Sequence, residues 1–188
     1  MELLASNDHQ VINVDMGIVN STPFLLRVNL GIMAAMVTDA DRDMKNNIGQ
    51  LAYGITALKA VAHAESIRYS LTLDGEELIA QGVSLTVTNS GNMGVGDFTL
   101  QPGISITDGL LDVILMKDNS LTSILKIAGS TLLQQNTEAL QHWKVKKVVI
   151  SMDSEQAFIC DDIEMRADKL NIEVAPGSIK ILVPAEVQ

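Results

Sequence analysis

Cysteine is almost absent from this sequence of 188 residues. Cys160 is its only thiol, so an internal disulfide cannot form, and one cysteine with three histidines is too few for a Cys/His zinc site. Disulfide scaffolds are thereby excluded. A chain without disulfides is typical of a reducing compartment, so we expect a cytoplasmic protein.

Basic residues are also few, with 13 Lys and Arg against 23 Asp and Glu and a formal net charge of −10. Proteins bind nucleic acids mainly by neutralising phosphates with basic side chains, so this charge excludes nucleic acid as a partner. A small basic cluster, Lys144, Lys146 and Lys147, favours a solvated sheet edge and leaves contact with anionic lipid as the alternative. A polybasic membrane signal usually needs about four to eight charges.

Long hydrophobic runs are missing as well. No stretch approaches the roughly 20 apolar residues that a membrane-spanning helix needs, and the first residues lack the basic start of a signal peptide. A hydrophobic fraction of 47% with 19% charged residues excludes intrinsic disorder. We therefore expect a soluble, folded chain whose contact with a membrane is peripheral at most.

What the sequence does contain is a series of short apolar segments separated by turns such as Asp74-Gly75 and Ala175-Pro176-Gly177. They predict strands over residues 11–14, 24–30, 67–73, 83–87, 111–116, 146–151, 157–160, 170–174 and 179–183. Apolar residues at spacings of three and four predict helices over 46–64 and 120–135. Because most strands are joined by short turns without regular βαβ alternation, we predict a mainly β (α+β) fold. We expect a single antiparallel β-sandwich-like domain over residues 1–188 with two flanking helices.

Motifs for common reaction types are lacking. The sequence has no Walker-type phosphate loop and no Gly-x-Ser-x-Gly elbow. His9, His63 and His142 fall in predicted loops or at a helix end and are interpreted as surface residues. The glycine-rich stretch 89–96 has two interpretations, a turn or bulge that needs positive φ, or backbone that lines a ligand site.

One longer segment, residues 87–116, carries a family resemblance through its glycine loop and its Asp-Gly-Leu-Leu-Asp-Val ending. It resembles the C-terminal domain of bacterial diacylglycerol kinases and YegS-type lipid kinases, which are relatives of sphingosine kinases. Residues 15–20, 161 and 172–184 extend the similarity over nearly the whole chain. The matching residues of the segment are Asn89, Gly94, Gly96, Pro102, Asp108, Gly109, Leu111 and Asp112.

The resemblance implies a substrate-binding domain of a lipid kinase. Family members hold ATP in an N-terminal domain through Gly-Gly-Asp-Gly-Thr, and this sequence lacks that motif. We therefore expect that the chain is not competent alone, whether it is a truncated or a natural fragment. The resemblance implies substrate binding by Asn89, Gly94, Gly96 and Asp108. It also implies a cofactor-binding role for Asp15 at an interdomain cleft.

The catalytic base of the family is the Glu of an Asp-Gly-Glu motif near the C-terminus. Here that motif aligns with Asp161-Asp162-Ile163, so the Glu position holds Ile163, and Glu164 lies one residue later. A second departure is Gly31-Ile32-Met33-Ala34, where relatives often have Gly-Phe-Asp-Ala. The candidate catalytic residues are therefore Asp161 and Glu164, and competence is an open question. Asp74-Gly75-Glu76 spells the motif but is predicted to be an exposed hairpin turn.

A structural Mg²⁺ is also implied by the resemblance, with Leu115, Asp118 and Ser120 as its ligands, since oxygen atoms suit this ion. The alternative is an ordinary helix-capping turn at Asp118-Asn119-Ser120. ATP is expected only with a nucleotide domain that this sequence does not contain.

The function predicted from these observations is the binding of a lipid with a free hydroxyl, such as diacylglycerol, for ATP-dependent phosphorylation. The alternative is a non-catalytic lipid-binding or interaction module on the same fold. We expect an apolar cleft beside residues 89–96 and Asp108, which the missing nucleotide domain would cover, and self-association to a homodimer through this surface. The nine methionines suit either a core or an acyl-chain contact.

Overall fold

The computed structural model describes residues 9–32, 34, 65–91, 103–117 and 140–184. Within them the mainly β, antiparallel fold is confirmed. The two predicted helices, over 46–64 and 120–135, lie outside the described residues, and nothing within the described ranges supports them. The strands are β1 (His9–Val19), β2 (Thr22–Phe24), β3 (Arg27–Gly31), β4 (Ile67–Leu73), β5 (Glu76–Gly82), β6 (Ser84–Thr88), β7 (Leu111–Met116), β8 (Leu140–Val145), β9 (Lys147–Cys160) and β10 (Ile163–Pro184).

A long hairpin of β9 and β10 organises the sheet. The strand order is β2-β1-β10-β9-β3-β6-β7-β8, and β4, with β5 at its other side, also pairs with β9. The same edge of β9 therefore serves two neighbours. Residues 148–152 pair with β4, and residues 158–160 pair with β3. The sheet thus divides into a short arm, β4–β5, and a long arm, β3–β6–β7–β8.

A bulge in the hairpin lies where the two arms diverge. Residues 152–155 of β9 stand opposite Asp168 of β10 alone, between two regularly paired segments. Extra residues in one strand bend it and increase its twist. Apolar side chains from both arms and from the hairpin form one buried cluster, as in a sandwich. Its members include Tyr69, Leu71, Leu85, Val87, Val113, Ile150 and Phe158.

Several strand boundaries differ from the prediction. The segments 146–151 and 157–160 are parts of one strand, β9, and the segments 170–174 and 179–183 are parts of β10. The predicted turn at 175–177 is wrong, because these residues belong to β10, where residues 176–178 bulge opposite Asp15 of β1. The prediction also missed β5 and β8, and it placed His142 in a loop. Bulged strands escape a period-two search because the extra residue shifts the alternation.

The hairpin turn at Asp74-Gly75 is confirmed. Both residues have positive φ, 49° and 98°, as a two-residue type I′ turn requires. The Asp74 carboxylate accepts hydrogen bonds from the backbone N–H groups of Lys146 (3.0 Å) and Lys147 (2.8 Å). The turn is therefore fastened to the start of β9.

Glycine is required at position 31 more strictly than at position 75. Both residues have positive φ, but a Cβ atom on Gly31 would lie 2.3 Å from the carbonyl oxygen of Val83, whereas Gly75 has no atom within 4 Å of such a Cβ. We expect Gly75→Ala to lower the free energy of unfolding by about 1 kcal/mol through its backbone conformation alone. Gly31→Ala should cost at least about twice as much. Urea denaturation measures both, and equal losses would contradict the close approach of β3 to residue 83.

Candidate functional site

The face of the long arm that points away from the core is polar. Core residues Val28, Leu30, Leu85, Val87 and Val113 alternate with polar ones, and directly opposed residues in an antiparallel sheet share a face. We call the resulting surface the polar face. It consists of Arg27, Asn29, Thr86, Thr88, Asp112, His142 and Lys144.

Most of this polar face is buried. Arg27, Asn29, Thr86, Thr88 and Asp112 are each at most 8% exposed. Buried polar groups need hydrogen-bond partners, and Thr86 Oγ1 donates to Asn29 Oδ1 at 2.9 Å. Burial lowers the pKa of the Arg27 guanidinium, and the nearby negative charge of Asp161 partly opposes this shift. The face is thus an ordered polar layer.

Asp112 occupies the centre of one row of this face. Its Oδ1 lies 2.5 Å from His142 Nε2, and its Oδ2 is buried without a hydrogen-bond partner in the part of the chain that the structure describes. The carboxylate is fully buried, whereas the His142 side chain is 25% exposed. His142, predicted as a surface residue in a loop, is therefore a strand residue paired with a buried acid.

Lys144 joins this row to the preceding loop. Its Nζ donates to Asp108 Oδ2 at 2.8 Å and to the carbonyl oxygen of Gly103 at 3.0 Å, and it lies 3.7 Å from Asp112 Oδ1. The hydrogen bond to Asp108 is the main cause of the raised pKa of Lys144. The lysine therefore fastens the loop that carries Asp108 rather than standing free on a solvated edge.

Asp15 connects the same loop to the hairpin. It is 3% exposed, and its carboxylate accepts hydrogen bonds from the backbone N–H groups of Gly109 (2.7 Å) and Gly177 (2.8 Å). Its own N–H donates to the carbonyl oxygen of Ile106. The cofactor-binding role that the resemblance implied stays a prediction, and both observed hydrogen bonds of the carboxylate come from backbone N–H groups of this chain.

Asn89 lies against Asp15. Its Nδ2 donates to the carbonyl oxygens of Asp15 (2.8 Å) and Leu25 (3.2 Å), and it is 1% exposed. Its Oδ1 is buried with no partner among the described residues. Asp15 thus connects the surroundings of two predicted substrate residues, Asn89 and Asp108. Its carbonyl oxygen accepts from Asn89, and its carboxylate accepts from Gly109, which follows Asp108 in the sequence. Gly94 and Gly96 lie outside the described residues.

Asp161 is a hydrogen-bonded anchor. Its carboxylate accepts bonds from the backbone N–H groups of Leu25, Leu26 and Arg27 at 2.8, 2.9 and 2.9 Å. With Asp162 it forms the turn between β9 and β10. The structure therefore ties this turn to the connection between β2 and β3.

The residues after the turn are exposed. Ile163, which the resemblance aligned with the family's Glu, is 61% exposed. Glu164 pairs with Ile159 and so faces the opposite side of the sheet from Ile163. Leu25 and Leu26, held by Asp161, are also exposed. We call Leu25, Leu26 and Ile163 the apolar rim.

The predicted magnesium ligands are only partly described. Leu115 is a core residue of β7, and Asp118 and Ser120 lie outside the described residues. Across the described ranges, no group of three or more His, Cys, Asp or Glu side chains is arranged to hold a metal. In the same ranges, no helix is long and apolar enough to cross a membrane.

Sequence reasoning missed most of the polar face. Arg27, Asn29, Thr86 and Thr88 alternate with apolar residues in strands whose members are nearly all buried. That alternation is a usable signal, since it separates a core face from a second face. The pairing of His142 with Asp112 had no such signal, because it depends on the register of β7 with β8.

Comparison with known proteins gives a consistent family match. Residues 27–183 match the model of the YegS C-terminal NAD kinase beta sandwich-like domain. A Staphylococcus haemolyticus protein named "Putative lipid kinase SH2167" is 27% identical over 87% of this chain and 54% of its own length. The Bacillus subtilis diacylglycerol kinase is 22% identical over 79% of this chain and 49% of its own length. This chain therefore spans about half the length of these relatives.

The solved structures agree on the fold. A crystal structure of a diacylglycerol kinase from Bacillus anthracis superposes with a TM-score of 0.66 at 19% sequence identity. The match covers 91% of this chain and 53% of that one. At this identity the similarity concerns the arrangement of the strands.

The anchor role of Asp161 predicts a large difference between two neighbouring substitutions. Asp161→Ala removes the acceptor of three backbone N–H groups and should lower the free energy of unfolding by about 3 kcal/mol. Asp162→Ala is the matched control, because Asp162 is exposed, and should change it by less than about 0.5 kcal/mol. Denaturant unfolding of both variants measures the difference. Similar values for the two would show that the three bonds are not formed in solution.

Burial predicts that Cys160 is unreactive. Burial, with the negative charge of Asp161, raises the pKa of the thiol to about 11 from 9.0. A raised folded-state pKa adds stability that is complete below about pH 9 and is lost as the pH rises through about 11. We expect a thiol reagent at pH 8 to modify Cys160 in urea but not in the folded chain. Equal rates in both states would refute the burial of this side chain.

Proposed function

Since the chain belongs to the YegS C-terminal NAD kinase beta sandwich-like domain family, we propose that it is the acceptor-binding half of a lipid kinase. Its ligand is a lipid with a free hydroxyl, such as diacylglycerol. The observation that carries this proposal is a single neighbourhood, in which buried Asn89 bonds to both Asp15 and Leu25 beside exposed Leu26. An amphipathic ligand needs such a combination of oriented polar groups and apolar surface.

The reaction we propose also needs a domain that binds the nucleotide. The hydroxyl oxygen of the lipid attacks the terminal phosphorus of ATP, the bond to ADP breaks, and the hydroxyl proton passes to a base. Positioning and charge neutralisation account for most of the rate in such reactions. The relatives are about twice as long as this chain. In the proposed enzyme, a further domain would hold ATP. Mg²⁺ at Leu115, Asp118 and Ser120 stays part of the proposal.

The identity of the base distinguishes the two candidate functions. A lipid kinase with this chain would use Asp161 or Glu164, although the Asp161 carboxylate already accepts three hydrogen bonds. The second candidate is a non-catalytic lipid-binding or interaction module. It is favoured by the exposed Ile163 at the family's Glu position, because an apolar side chain cannot accept a proton.

The apolar rim provides a test of lipid binding. Replacing both Leu25 and Leu26 by Ser should weaken the binding of dioctanoylglycerol about tenfold, because less apolar surface is then buried against the acyl chains. Ile79→Ser is the matched control, since Ile79 is 65% exposed on β5 of the other arm. Isothermal titration measures the three affinities. An equal effect of Ile79→Ser would remove the rim from the site.

Catalytic competence is tested in a chimera with the nucleotide domain of a related kinase. If Ile163 occupies the position of the base, Ile163→Glu with Asp162→Gly should raise diacylglycerol phosphorylation at least about tenfold. Full activity of the unmodified chimera that is lost on Glu164→Gln would identify Glu164 as the base. If neither change matters, the interaction module is the better function.

Self-association and peripheral membrane contact belong to the same proposal. Exposed apolar side chains of the rim would be buried in a homodimer or against lipid, which gains roughly 25 cal/mol per Å². Sedimentation at high concentration distinguishes a monomer from larger species.

A further inference from the structure

Asp112 and His142 form a pair in which a buried carboxylate contacts one nitrogen of the imidazole ring. Asp112 is fully buried, and its Oδ1 lies 2.5 Å from His142 Nε2. An ionised carboxylate only accepts hydrogen bonds, so in this contact Nε2–H donates a hydrogen bond to Asp112 Oδ1. In the neutral imidazole the other nitrogen, Nδ1, then bears the free electron pair.

The charged groups around this pair form no hydrogen bond with Nδ1 in the described part of the chain. Asp112 is opposed by Lys144 on β8 and by Thr88 on β6, and Ile114 stands opposite His142. Lys144 already donates to Asp108 and to Gly103, so among the described residues it makes no bond to the imidazole. The His142 side chain is 25% exposed. Part of the ring is therefore open to solvent.

Two buried oxygen atoms near the same end of the sheet lack partners. They are Asp112 Oδ2 and Asn89 Oδ1, and neither has a hydrogen-bond partner in the described part of the chain. Asp112 stands opposite Thr88, the residue before Asn89. Buried acceptors without donors are costly, so the incomplete pairing within the described residues marks this end of the sheet as a place where further polar groups bind.

We propose that His142, held by Asp112, binds the free hydroxyl of the acceptor, which donates its hydrogen bond to Nδ1. Asp112 fixes the tautomer and orientation of the ring, as a buried carboxylate does behind other functional histidines. This inference rests on the proposed function, since it names the residues that contact the lipid hydroxyl. Asp112 is a positioning residue in this arrangement.

The test compares two ligands that differ only at this hydroxyl, 1,2-dioctanoylglycerol and its 3-acetyl ester. The ester cannot donate a hydrogen bond, so the chain should bind the free alcohol about five- to tenfold more tightly. His142→Ala and Asp112→Asn should abolish this preference. His9→Ala is the matched control on β1 and should retain it.

Nitrogen NMR of the imidazole in the unchanged chain keeps the test valid if a variant fails to fold. The Nε2-protonated tautomer should be present without ligand, and the Nδ1 resonance should shift with the alcohol but not with the ester. Equal affinities for the two ligands, or a preference that survives His142→Ala, would overturn the inference and leave lipid binding intact. Failure to bind either ligand would overturn the proposed function as well.

Discussion

The pairing of β9 with β10 is the constraint on which the rest of this domain depends. One edge of β9 carries both arms of the sheet, and the bulge at residues 152–155 lies between the two attachment points. The buried cluster draws on both arms and on the hairpin, so neither arm could bury its apolar face without β9. Hydrophobic burial and strand register therefore depend on each other here.

Two carboxylates bind the backbone of the segments at the end of the sheet where Asn89 and Asp108, two of the predicted site residues, lie. Asp161 binds three consecutive backbone N–H groups of the β2–β3 connection, and Asp15 binds Gly109 and Gly177. Charge-assisted bonds to backbone N–H groups are among the stronger hydrogen bonds in proteins. The resemblance implied catalysis for Asp161 and cofactor binding for Asp15. In the geometry of this chain, both carboxylates accept hydrogen bonds that hold the surrounding loops.

The polar face provides candidate site residues whose orientation is fixed by the sheet. Its side chains lie on strands, where neighbouring residues fix their orientation more firmly than loops do. The exposed leucines beside Asn89 provide apolar surface at the same end. Polar groups on a rigid sheet next to an apolar rim suit a ligand with one polar end and one hydrocarbon end, which is the chemistry of a lipid alcohol.

The sequence by itself determined the fold class, the Asp74-Gly75 turn and strands such as β4 and β7. These features follow from local alternation and turn chemistry, which neighbouring residues decide. Tertiary structure alone decided that β9 and β10 are continuous, that Asp161 faces the residues 25–27, and that His142 meets Asp112. Bulges shift the local period, and contacts between residues 30 to 136 positions apart depend on strand register, which no single segment encodes.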